Sequence, residues 1–118
     1  MSKELLGVSA LGLMVVGEFC AIYSEVVAAK LAQTGSASWE AFILPVALMC
    51  FAGHCLLGAY WLGYIAVGDI WIVTVVSVTS LLLLEPVVVW SLFHEAPGRG
   101  ALIGFVLGAL GMLSTVLL

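Results

Sequence analysis

Four apolar stretches, each close to the length of a bilayer crossing, occupy nearly all of this chain. The first runs from about Leu5 to Ala29 and stops at Lys30, before the polar linker Gln33-Thr34-Gly35-Ser36-Ala37-Ser38. The second runs from about Ala41 to Val67 and ends at Gly68-Asp69. The third covers Ile70 to Phe93; after the turn His94-Glu95-Ala96-Pro97-Gly98-Arg99, the fourth covers Gly100 to Leu118. A helix that crosses the hydrocarbon needs roughly 20 apolar residues, and each stretch meets that length. No segment alternates apolar and polar residues as a strand does, and an open sheet edge cannot sit in lipid. The expectation is an all-α integral membrane protein, with one four-helix transmembrane domain spanning residues 1–118.

Composition enters where it closes off alternatives. Of the 118 residues, 64% are hydrophobic and 8% charged, too few charges for the polar shell of a soluble domain this size. Lys3, Lys30 and Arg99 are the only fixed side-chain cations against seven carboxylates, so no basic patch exists to hold nucleic acid. Cys20, Cys50 and Cys55 all fall inside apolar segments, which argues against an extracellular disulfide framework. Cys50 and His54 are i,i+4 and could share a face. Two soft ligands without a second pair do not make a structural zinc site, so packing is the expected role and no metal or cofactor is expected. Glu4 stands where a secretory signal needs cations and Glu18 interrupts its apolar run, so the first helix is expected to be retained.

The aromatic residues agree with these limits. Trp39 and Trp90 fall at one membrane interface, Tyr64 and Trp71 at the other. Pro45 lies in the first turns of the second helix; Pro86 lies inside the third and is expected to kink it. Four spans place both termini on one side. Lys3 and the N-terminal amine then balance Lys30 and Arg99, close to a tie under the positive-inside rule. Insertion in both orientations would allow an antiparallel homodimer, an inverted repeat made from two copies; a short chain with few charges gives the same tie by chance. Gly100, Gly104 and Gly108 form a doubled GxxxG on the fourth helix, where small residues let backbones approach closely in lipid. This face is read as a dimer interface, with packing inside the protomer as the alternative.

Ionisable groups at membrane depth carry the most chemical information. On insertion scales a charged side chain near the bilayer centre costs roughly 2.5–3.5 kcal/mol, so its presence calls for a reason. Glu18 is near the middle of the first helix, Glu25 two turns further on, His54 near the middle of the second helix, and Glu85 immediately before Pro86. Facing one polar cavity, the four would form a substrate- and proton-binding set. Burial disfavours the charged form of any carboxylate, which is how such a group comes to exchange a proton for a solute. Glu25 and Glu85 could instead snorkel, Glu25 toward Lys30, and His54 could be a hydrogen-bonded packing residue rather than a relay. Tyr60, with Trp61 and Tyr64, closes the second helix; it could hold an organic cation by its ring face or belong to the interfacial belt. No nucleophile, base and orienting group can be assembled, so an enzyme is not expected.

Over most of its length, and most strongly from Tyr64 onward, the chain resembles the drug/metabolite transporter superfamily. Tyr64-Ile65-Ala66-Val67-Gly68 looks like the turn into the third helix of these proteins, and Leu84-Glu85-Pro86-Val87 resembles an EamA-type helix start. Phe93-His94-Glu95, followed by Gly104 and Gly108, resembles their last turn and fourth helix; Leu92-Phe93-His94-Glu95 is also similar to lipid-linked aminoarabinose flippase subunits. Two departures separate the chain from the small multidrug resistance branch. Ile22 occupies the glutamate slot counted back from Lys30, with Glu18 and Glu25 on either side, and Val76 and Val78 replace a glycine pair. The resemblance implies a multi-pass protein of the cell (cytoplasmic, or inner) membrane that exchanges a small organic solute or cation for protons. Glu18 and Glu25 would be the coupling carboxylates, in a homodimer or a heteromer. A flippase subunit for a lipid-linked sugar is the second expectation, and a non-transporting helical subunit of a larger complex the third.

Overall fold

The computed structural model describes residues 2–35 and 38–118 and is all helix: α1 (Lys3–Gln33), α2 (Trp39–Val67), α3 (Ile70–Phe93) and α4 (Arg99–Leu117). Met1, whose amine enters the charge tie, and Ser36 and Ala37 of the polar linker lie outside the described residues. Each helix is long and apolar enough to cross a membrane, the mark of a multi-pass membrane protein.

The helix limits follow from local chemistry. Ser2, Ser38 and Asp69 cap the first three helices, accepting hydrogen bonds from the backbone N–H of Leu5 (3.2 Å), Ala41 (3.2 Å) and Trp71 (2.9 Å). Gly68 ends α2 and His94 ends α3, both left-handed at φ 77° and φ 55°. Glycine takes that conformation freely; histidine does so at a cost. Helix α1 continues one turn beyond the expected stop at Lys30. The Lys30 ammonium does not end the helix but folds over the Phe93 ring, 5.0 Å from its centroid, and a cation near a helix C-terminus favours the last turn. Helix α3 is continuous through Pro86.

Helix α1 is the centre of the packing. It runs antiparallel to α2, and Gly17 meets Cys55 and Leu56 while Gly63 meets Ala10. Helix α3 runs parallel to α1, so Lys30 and Phe93 share one end of the molecule. Helix α4 touches α3 alone and buries no residue. The protomer is therefore a slab, with extents of 48 × 34 × 17 Å. Its accessible surface of 7803 Å² exceeds the roughly 6,100 Å² expected of a compact 12.4 kDa monomer. Leu57, Trp61, Leu83, Leu107 and Val116 are among many large apolar side chains facing outward. Such a surface is at home in hydrocarbon or against another helix, not in water. Trp39, Tyr64, Trp71 and Trp90 are all exposed, as side chains of an interfacial belt are.

Candidate functional site at the α1–α3 seam

Glu18 is the one Asp, Glu, Lys, Arg or His side chain in the buried core of the described residues, 7% exposed. It lies where parallel helices α1 and α3 meet. Residues four apart on one helix share a face, and the two helices match in steps of four: Met14 with Val73, Glu18 with Ser77, Ile22 with Leu81. The Ser77 hydroxyl donates to Glu18 Oε1 at 2.7 Å. Ser24, Ser80 and Ser91 instead return their hydroxyls to carbonyls of their own helices, four residues earlier. Ser77 alone among these serines is used between helices, and it is as buried as its partner.

Apolar groups close both sides of this pair. One turn toward the termini, Met14, Ala59 and Val73 form a buried cluster supported by Leu13, Tyr60 and Val76. One turn the other way, Ile22, Val26 and Val88 form a second cluster, with Leu84, Leu92 and Phe93 packed on it. Among the described residues the carboxyl group has one hydrogen-bond partner, the Ser77 hydroxyl, and apolar clusters on either side.

The other carboxylates and rings of the expected site are dispersed. Glu25 stands nearly on the azimuth of Glu18, about 20° away by helical drift. At its level, however, Ile22 and Val26 make the buried contacts and Glu25 is exposed. His54 is exposed as well, with Nδ1 donating to the Cys50 carbonyl oxygen at 2.7 Å, so the i,i+4 relation serves a backbone bond. Tyr60 is half-buried beside the Met14 cluster, and Glu85 is half-buried on α3 two turns beyond Ser77. Among the described residues, no hydrogen bond or ion pair joins Glu18, Glu25, His54 and Glu85, and no three His, Cys, Asp or Glu side chains gather as metal ligands do. A Cβ placed on Gly100 or Gly104 would meet nothing within 4 Å; one on Gly108 would meet Leu82 at 3.5 Å. Two of the three glycines on the GxxxG face therefore look out of the protomer.

Ser77 is the side chain of this candidate site that sequence reasoning does not single out. It sits in Thr74-Val75-Val76-Ser77-Val78-Thr79-Ser80, where Thr74, Thr79 and Ser80 are equally eligible by type. Only the α1–α3 register separates it from them. No protein-family model, curated protein or solved structure matches the chain.

Proposed function

We propose that the chain is a proton-coupled membrane transporter of a small organic solute or cation, working as a dimer in the cell membrane, with Glu18 as the proton-carrying group. The observation that carries this reading is the buried carboxyl of Glu18, held by Ser77 between two apolar clusters. An ionisable group costs free energy at that depth, and its commonest use there is to move a proton or hold a cation. The resemblance of the Glu85-Pro86 segment and the last turn to drug/metabolite transporters points the same way. Glu25 and Glu85, nearer the surface, are the groups through which a proton would pass to and from Glu18.

The dimer rests on α4. A helix with no buried residue and contact to one neighbour leaves most of its surface to lipid or to a second chain. Gly100 and Gly104 present bare backbone there, the feature that lets membrane helices pack closely. The balance of Lys3 against Lys30 and Arg99 permits two copies in opposite orientation. Gly104→Leu should leave the protomer's fold and insertion unchanged, because a Cβ there meets nothing within 4 Å. Size-exclusion chromatography in mild detergent should then show monomer where the parent runs as a dimer. A dimer that persists would place the seam elsewhere.

The transport reading is tested in proteoliposomes. An imposed pH gradient should drive accumulation of at least one member of a panel of organic cations and neutral amphiphiles, and a protonophore should abolish it. The same uncovered α4 would suit a helical subunit of a larger complex. That reading becomes the better one if no solute responds to the gradient and mild solubilisation brings other polypeptides with the chain.

A further inference from the structure

A cleft of about 210 Å³ opens between α1, α2 and α3 on the termini side of the Met14 cluster. Its mouth is set by Gly7, Val67 and Ile72, at the end of the slab where α1 and α3 begin and α2 ends. Its floor is Met14, Ala59 and Val73, all buried. Met14 is four residues before Glu18 and Val73 four before Ser77, so the floor lies about 6 Å along the helices from the carboxyl group. Toward the opposite end the seam is filled by apolar side chains. Ile22 is 1% exposed, Val26 and Val88 are buried with it, and the Lys30 ammonium lies over Phe93 beyond them.

We infer that this cleft is the compartment through which an apolar solute reaches Glu18, and that Met14 and Val73 are the gate between them. The inference rests on Glu18 being the working carboxyl, and it adds the side, the lining and the gate. The physical reasons are the asymmetry of the two plugs and the nature of the floor. The far plug is several side chains thick and ends in a cation–π contact. The near plug is one layer, and its largest member is a methionine, unbranched and free to change rotamer without moving backbone. On the α2 side Ala59 contributes a methyl group, with half-buried Tyr60 packed against the same cluster. The cleft walls are almost wholly apolar, so the part of the solute that enters first is apolar as well.

The test measures access to Glu18 directly. Dicyclohexylcarbodiimide is an apolar reagent that adds a protonated carboxyl group across its carbodiimide bond. Its adduct on Glu18 can be told from those on Glu25 and Glu85 by peptide mapping of the purified full chain. Gly7→Leu puts a side chain in the mouth of the cleft, where a Cβ would have only Ala66 near it, at 4.0 Å. Labelling of Glu18 should slow roughly tenfold. Gly12→Leu, on the same helix with nothing within 4 Å, should label as the parent does. Met14→Ala should speed labelling by a similar factor, while Val88→Ala, an equally buried truncation on the far side, should not. Parent-like labelling in Gly7→Leu, or an acceleration in Val88→Ala matching that in Met14→Ala, would overturn the inference, since the reagent would then be arriving from lipid or from the far end. Labelling reports access whether or not the protein transports. Failure of Glu18 as the working carboxyl would appear separately, as normal gradient-driven movement in Glu18→Gln, and failure of the carrier reading as no gradient-driven movement in the parent.

Discussion

Glu18→Gln is expected to abolish gradient-driven solute movement in proteoliposomes while leaving the protein folded and its oligomeric state unchanged. Glutamine has the shape of glutamic acid, and its carbonyl oxygen can still accept from the Ser77 hydroxyl, so the α1–α3 seam keeps its one cross-helix hydrogen bond. What is lost is the exchangeable proton. Solute-stimulated proton release in detergent, followed with a pH dye, should fall to background in the same variant. Ser77→Ala separates position from protonation: it retains the acid but removes its partner, at a cost of about 1–3 kcal/mol for a buried polar group left unpaired. That variant should unfold at lower temperature and still release protons. Glu25→Gln and Glu85→Gln should weaken coupling less, because Glu25 is exposed and Glu85 half-buried and neither is enclosed in the core as Glu18 is. If Glu18→Gln moves solute and releases protons normally, coupling must pass to one of those two. Three amide variants that all behave as the parent would favour the helical-subunit reading.

The second large effect is on stability. Gly17 lies at a tight contact of α1 with α2, where a Cβ would stand 2.9 Å from Leu56 Cγ, 3.0 Å from its Cδ2 and 3.2 Å from Cys55 Cβ. None of these neighbours yields cheaply. Leu56 Cγ is a branch point and Cys55 Cβ is fixed to the α2 backbone. Gly17→Leu must therefore push the two helices apart, and overpacking of this kind costs about 1–3 kcal/mol or more. Thermal unfolding in detergent should show a markedly lower midpoint than for the parent, or loss of the folded protein on extraction. Gly12→Leu, five residues earlier and facing open space, should unfold within a few degrees of the parent. Equal effects of the two substitutions would mean that leucine perturbs α1 generally and that the close contact at Gly17 is not what holds the pair together.

Some features of this protein are legible in its amino-acid sequence and others are not. The four spans are, because bilayer thickness sets their length and hydropathy marks it; the expected limits of the second and third stretches lie within about two residues of α2 and α3. Glu18 stands out because a carboxyl group in mid-span is costly wherever the helix faces. Glu25 and His54 stand out on the same ground, yet both lie at the surface of the protomer, because depth in a membrane can be read from sequence and azimuth cannot. Every face of these helices is apolar, so no stripe distinguishes the side turned to protein from the side turned to lipid. In water a helix declares its buried face by being polar elsewhere; in hydrocarbon that contrast is absent. The choice of Ser77 over Thr79 or Ser80, the burial of Glu18 beside exposed Glu25, the cleft above Met14 and the isolation of α4 are all matters of which helix lies against which. Those relations depend on close contacts such as Gly17 against Leu56 and on the register of α1 with α3. Small residues permit such contacts at many places along each helix, and only the packed tertiary structure selects among them.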